Sequence, residues 1–449
     1  MLRRDFLRAS GLAGAVLLSP GARALARPPH VGAGLAGDMP QTGFEQRNGA
    51  SWTTHAEELA FLEAVAAASP RVRLEVIGTT QRGLPLHLVS LGSPGPLPAA
   101  AAKQSPVTLF ICSQHGNEPA GRETGLKLLR DLAFTSDPVL VDQMASSTIL
   151  VIPTANPDGR AANSRGNANG TDINCDHLNL ETPEAQAMAT VMRAWSPDLV
   201  LDLHEYGPSI PVLYDDDILY LWPRNLNADA QVRDLSRTLA EQYIKKGAEA
   251  AGYTADEYGL ATVANQTVRV GDDNANQTAG DEDEGICRNA MGLRHSLGIL
   301  VESAVTANPR QSPQELVDAA TLNRRRVASQ VQVTSDTLRF MREQGDLAKY
   351  ASDSSPLRAA RSTAPVYFRG ADNDPPTASE MQNPAPVRYD LTAADAAKLQ
   401  TTFALHEIRT VESAGGVSVA MAQAARPVIP LLLDGRARRS AANGTPVYA

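Results

Sequence analysis

VTLFICSQHGNEPAG, residues 107–121, runs an unbroken apolar segment straight into a turn that carries an imidazole and a carboxylate. Six residues rich in β-branched and aromatic types, without Gly or Pro, predict a strand covered on both faces. Gly116 and Pro119 punctuate the turn, so His115 and Glu118 stand three apart just past the strand's end. Similar runs recur as STILVIPT (147–154), DLVLDLH (198–204) and LGILVES (297–303), with RLEVIGTT (73–80) and LPLHLVSLG (84–92) as further strands. Between them lie helical patterns at TTHAEELAFLEAVAAAS, at 121–133, from Pro183 after a Thr cap, at 229–251 and at 313–342. Strands alternating with helices predict an α/β fold, a sheet with helices on both faces. In such sheets ligands sit beyond the carboxyl ends of the strands.

That placement gives His115 and Glu118 a purpose. A histidine and a glutamate three apart can point at one ion, although such pairs also arise by accident. His204 closes the DLVLDLH run and Glu302 the LGILVES run, so four chemistry-bearing residues fall at the same edge. Two imidazoles and a carboxylate suit a single Zn2+ ion with one position open. An acid at the end of an apolar strand is costly unless an ion or partner offsets it. Beside such an ion, Glu302 would take a proton from water and hand it to a leaving amine. The plainer alternatives are a structural strand-end histidine and a glutamate paired with an arginine.

The chain has 449 residues, 43% of them apolar, and a formal charge of -9. No basic cluster gathers in one element, which argues against nucleic acid as a partner. Residues 1–26 pair Arg3 and Arg4 with a broken apolar stretch and end on Ala24-Leu25-Ala26. That is the pattern of a twin-arginine signal peptide, cleaved after Ala26, and it predicts passage through the twin-arginine export machinery to a periplasmic or secreted location. No later segment is long and apolar enough to cross a bilayer, so no membrane insertion is expected after signal removal. Cys112, Cys175 and Cys287 are too few for a disulfide framework. The catalytic domain is expected over 45–345. Residues 346–449 are expected to be a connector, loop-dominated from 350 to 388, and a small C-terminal appendage with strand candidates in VSVAMAQ and PVIPLLLD. The acidic stretch 265–289 reads as a solvated excursion or as a rim whose Asp272, Asp273, Asp281, Glu282, Asp283 and Glu284 favour basic substrates.

Five motifs in order make the chain resemble the zinc carboxypeptidases of the carboxypeptidase A type over roughly residues 50–340. They are HGNE (115–118), NPDG (156–159), the run from Arg165 to Asn174, DLHEY (202–206) and LVES (300–303). The resemblance implies a mixed central sheet in an α/β/α sandwich and a peptide or amide substrate. It matches His115, Glu118 and His204 to the zinc ligands and Glu302 to the catalytic carboxylate. Arg165 matches the arginine that polarises the scissile carbonyl, and Asn174 an asparagine that helps bind the substrate's terminal carboxylate. The chain departs from the family at Cys175, where an arginine normally grips that carboxylate. Arg160, Arg288 and Arg294 are the candidate replacements, and Tyr253 and Tyr258 the candidates for the substrate-capping tyrosine. The departure keeps open an amidohydrolase or deacylase acting on small acylated amino acids or cell-wall peptides, and a non-catalytic zinc-binding protein. A cysteine hydrolase built on Cys175 is disfavoured, because Asp176 and His177 are neighbours in sequence rather than a facing dyad.

Overall fold

All six residues of VTLFIC are buried, and they alternate between two separate apolar clusters. Phe110 and Cys112 face one, Leu109 and Ile111 the other, as the two-residue period of a strand requires. The computed structural model describes residues 39–207, 214, 216–263, 266–269, 276–306, 318–413 and 415–449. The signal expected in 1–26 lies outside these, as do Asp272 and Asp273.

The strands are β1 (Val72–Thr79), β2 (Pro85–Leu91), β3 (Val107–Cys112), β4 (Thr148–Ile152), β5 (Leu199–Tyr206), β6 (Ile218–Leu221), β7 (Ala255–Glu257), β8 (Leu260–Val263), β9 (Gln266–Arg269), β10 (Asn276–Ala279) and β11 (Leu297–Ala304). Eight form one mixed sheet in the order β1-β2-β4-β3-β5-β11-β6-β7. β4, β3, β5 and β11 are parallel neighbours. β2 joins antiparallel at one side and β6 at the other. β8, β9 and β10 form a separate three-stranded sheet. β6 was not anticipated, although ILYL is an apolar run of strand length.

One face of the sheet packs on Phe61, Leu62 and Val65 of helix His55–Ala68 and on Leu126 and Leu129 of helix Pro119–Phe134. The other packs on Met188, Val191 and Trp195 of helix Pro183–Trp195. Each fully buried Leu, Ile or Val contributes about 1.5–3 kcal/mol relative to an exposed position, so this double cover fixes the central strands.

Two expectations for the C-terminal part need correction. Helix Ala319–Arg361 runs through residue 345 and extends across 350–361, where a loop was expected. Small residues at helical spacing, Ala348, Ala351, Ser352 and Ser355, bury one side of it. Ser352 Oγ donates to Asp198, and Arg358 holds Asp229 at 2.7 and 2.8 Å. The Ser, Asp and Pro content that suggested a loop is tolerated because tertiary contacts outweigh intrinsic propensity. Within PVIPLLLD, Ile429–Leu433 forms a short helix with Pro430 in its first turn, not a strand. Arg388–Thr392, Val411–Ser413, Gly416–Ala420 and Thr445–Val447 make a four-stranded sheet. Its apolar residues share a cluster with Leu178, Ala228 and Leu293, so this part packs into the unit that carries the main sheet.

Candidate functional site

β3 ends at Cys112, and Ser113 takes φ 56°, a left-handed turn that carries His115 past the strand end. The next turn needs glycine. A Cβ on Gly116 would lie 2.0 Å from the Gly159 carbonyl carbon and 2.1 Å from Arg160 N. The NPDG motif is the reason for that closeness. Asn156 Nδ2 donates to Gln114 O (3.0 Å) and Arg165 O (3.2 Å), while its Oδ1 accepts from Gly159 N. One asparagine thus ties the His115 turn to the Arg165 loop. Helix Pro119–Phe134 starts directly after Glu118. On β5, His204 is wholly buried, and Gln330 fixes its carbonyl at 2.7 Å.

His115, Glu118 and His204 converge, with donor atoms of all three within 4.8 Å of one another. His115 Nδ1 is 2.8 Å from Glu118 Oε1, and His204 Nδ1 is 3.0 Å from both Glu118 Oε2 and His115 Nδ1. Carboxylates hold the outer edges of both rings. His115 Nε2 is 3.0 Å from Asp172 Oδ1, and His204 Nε2 is 2.8 Å from Asp202 Oδ2. With protons on Nε2, both Nδ1 lone pairs face the Glu118 carboxylate. That donor set, two imidazoles oriented by outer carboxylates plus one carboxylate, fits a divalent metal such as zinc. In the other protonation state, with protons on both Nδ1 atoms, burial opposes a charge on Glu118, yet hydrogen bonds from His115 and His204 hold its carboxyl down at about 2.

Glu302 pairs across the parallel ladder with His204. Its carboxyl is raised to about 7, first by burial, with the His204 charge opposing and the Glu118 charge adding. Glu302 Oε2 is buried and makes no hydrogen bond. Arg165 lies against Asp172 at 3.0 Å and reaches His115 Nδ1 at 3.2 Å, its side chain 56% exposed. Asn174 is buried close by, its Oδ1 accepting from Cys287 N at 3.2 Å. Cys175 is half-buried, and burial followed by the Asp172 charge pushes its thiol up to about 11, so it is no ready nucleophile. His177 is a structural residue, donating Nε2 to Gln114 Oε1 at 2.7 Å and kept neutral by burial. All three cysteines are free.

The candidate replacements separate cleanly. Arg160 is ion-paired with Glu58 and bonds Thr53 O. Arg294 is engaged by Leu405 O and His406. Arg288 has no ion pair among the described residues. Of the two tyrosines, Tyr253 lies under the Arg325 guanidinium, whereas the phenol of Tyr258 is influenced by Glu302, Arg288 and Arg165.

Three residues of this site were not singled out from sequence: Asp172, Asp202 and Gln114. Asp202 is two residues before His204 and shares its face of β5, and Gln114 Nε2 holds Asp202 Oδ2 at 2.7 Å.

Over residues 281–284 the acidic stretch is neither a solvated loop nor an open acidic rim. Asp281, Glu282, Asp283 and Glu284 are all buried. Arg438 reaches Asp281 (2.6 Å) and Glu282 (3.1 Å), while Arg439 clasps Asp283 at 2.5 and 2.6 Å. Arginines from the C-terminal part pair with Asp281, Glu282 and Asp283, and Glu284 accepts from the Arg439 backbone, so these buried acids do not form an exposed rim for basic substrates.

A mixed α/β sheet whose parallel strands end on a buried His–Glu–His cluster defines an α/β protein with a candidate mononuclear metal centre. Residues 58–280 match the model of the zinc carboxypeptidase family. Carboxypeptidase 2 of Trichophyton rubrum is 34% identical over 200 residues, covering 42% of this chain and 35% of that protein. Probable carboxypeptidase 2 of Trichophyton verrucosum is 33% identical over 200 residues, covering 42% and 36%. The match thus spans about a third of the length of these relatives. Among solved structures, a metallo-carboxypeptidase from Pseudomonas aeruginosa, in complex with (2-guanidinoethylmercapto)succinic acid, gives a TM-score of 0.47 at 18% identity, over 66% of this chain and 70% of that one. Among the described residues, no helix is long and apolar enough to cross a membrane.

Proposed function

We propose that this protein is an exported zinc metallopeptidase of the carboxypeptidase type. The observation that carries the reading is the meeting of His115 Nδ1, Glu118 and His204 Nδ1, with Glu302 beside His204 on the adjoining strand. His115, Glu118 and His204 would hold the ion. When bound, zinc supplies Lewis-acid charge that acidifies water and polarises a carbonyl. Glu302, with an unpartnered oxygen and a proton affinity lifted toward neutrality, accepts a proton from water and delivers it to the leaving amine. Arg165, fixed through Asp172, orients the scissile carbonyl and offsets negative charge growing on its oxygen. Asn174 has Nδ2 left to donate to a substrate carboxylate. The pattern of residues 1–26 supports export by the twin-arginine route to a periplasmic or secreted location.

Glu302→Gln tests the assignment directly. It should lower kcat by about 10²–10⁴-fold with zinc stoichiometry unchanged. Full activity in that variant would remove Glu302 from the mechanism.

Cys175 favours a second reading, hydrolysis of small acylated amino acids or cell-wall peptides, since a protonated thiol gives no ionic grip on a terminal carboxylate. Matched peptides ending in a free acid or an amide separate the two, because a carboxypeptidase prefers the acid.

A further inference from the structure

Arg288 is the second residue of helix Cys287–Leu293 and is 2% exposed. Its Nη2 donates to Asp281 O at 2.8 Å, and its Nε is buried with no partner. The nearby carboxylates are already taken, Asp281 by Arg438 and Asp283 by Arg439. Two other buried arginines differ, whereas Arg426 likewise has only a backbone carbonyl, Ala364 O, among the described residues. Arg224 is paired with Asp372 and Glu257, and Arg122 has Glu123 at 3.9 Å. A buried guanidinium without an anion of its own is expensive to maintain, which calls for a reason.

The surroundings of Arg288 supply one. Its helix begins against the segment that holds Asn174 and Cys175. Cys287 N donates to Asn174 Oδ1 at 3.2 Å, and His177 N to Gly285 O at 3.1 Å. Gly285 presses so closely on Cys175 that a Cβ there would lie 2.4 Å from the Cys175 carbonyl oxygen. Tyr258 shares this electrostatic neighbourhood: its phenol is pushed up by burial and the Glu302 charge and drawn back by Arg288 and Arg165.

We propose that Arg288 is the specificity-determining cation that binds the substrate's terminal carboxylate, in place of the arginine missing at Cys175. The inference rests on the peptidase reading above and extends it. Nε and a terminal nitrogen of Arg288 present the two parallel donors a carboxylate accepts, with Asn174 Nδ2 as a third. The charge has moved from position 175 to a helix packed against it.

The test compares peptides identical except for a C-terminal acid or amide. Arg288→Gln should raise KM for the acid by roughly 30-fold or more, leave the amide nearly unchanged, and so erase the preference. Adding Cys175→Arg to that variant should restore the preference, which no merely structural role of Arg288 would allow. Arg288→Lys, retaining the charge, should keep part of it and serves if the glutamine variant folds poorly. Calorimetric binding of the acid and amide forms of a dipeptide to zinc-loaded Glu302→Gln protein, with and without Arg288→Gln, reads the same contact without turnover. If Arg288→Gln and Arg288→Lys both keep the full acid preference, or Cys175→Arg fails to restore it, the proposal falls. A wild-type protein that cleaves neither peptide counts against the peptidase reading alone, because the binding comparison still decides Arg288.

Discussion

Glu302 and His204 are directly paired residues on two parallel strands. β11 and β5 run in register from Leu297↔Leu199 to Ala304↔Tyr206, so both strands reach the site edge at the same level. A shift of one residue in either strand would turn that strand's side chain to the opposite face and separate the pair. The double apolar cover of the sheet fixes that register, and with it the distance between the candidate base and a candidate metal ligand.

The same two-residue period places Asp202 beside His204, its Oδ2 2.8 Å from Nε2, where its charge favours a proton on that nitrogen. Asp202→Asn removes the charge while keeping the volume. It should weaken zinc binding about 10–100-fold, read by competition with a chelator. Unchanged affinity would reduce Asp202 to a packing role.

Gly116 is constrained from outside its own turn. Gly116→Ala forces backbone apart at Gly159 and Arg160, neither of which is a flexible side-chain end. A destabilisation of about 2–3 kcal/mol is expected, with loss of zinc affinity because His115 and Glu118 flank the displaced residue. Thermal unfolding and metal titration on one sample would show both effects; a variant with normal melting and normal affinity would refute the constraint.

These cases show what was legible in the sequence. His115, Glu118, His204 and Glu302 stood out because each ends or follows an apolar run, and strand ends are where such sheets present side chains. Asp172 and Asp202 were harder, since an outer carboxylate shows itself only by its distance to a ring nitrogen. The pairing of Arg438 and Arg439 with acids 281–284 joins positions far apart in the chain, and no local pattern encodes it. The helix over 350–361 was hidden because Ser352, Ser355 and Pro356 look like turn residues, while the small buried face that holds them helical needs the sheet to be visible.

A pH effect arises from Asp336 on the long helix. Burial lifts its carboxyl to about 6, only partly opposed by hydrogen bonds from Gln332 and Arg339. The native state therefore holds this proton more tightly than the unfolded chain, whose value is near 3.8. The contribution of Asp336 is most favourable at low pH and is lost as pH rises from about 4 to 6, a cost of up to about 3 kcal/mol. Asp336→Asn should abolish that slope, so its melting temperature relative to wild type should climb across this window. A constant difference would contradict the assignment.

The clamp from the C-terminal part can be measured as a coupling. Arg439 holds Asp283 through two bonds and donates its backbone N to Glu284 Oε1 at 2.9 Å. Its charge pulls the Asp283 carboxyl below the usual range against the opposing effect of burial. Arg439→Gln leaves the buried Asp283 carboxylate with only Arg438 at 3.5 Å and should cost about 2–4 kcal/mol. Asp283→Asn should cost less, because Arg439 keeps a partly exposed route to water, its side chain being 31% exposed. The double variant should recover part of the loss, giving a coupling of about 1–3 kcal/mol in a denaturant cycle. Gly285, between Asp283 and Cys175, connects this clamp to the wall that holds Asn174. Arg439→Gln should therefore also raise KM for free-acid peptides, while Asp336→Asn, remote from that wall, should not. Strictly additive stabilities with unchanged KM would mean that the C-terminal part packs beside the site without bracing it.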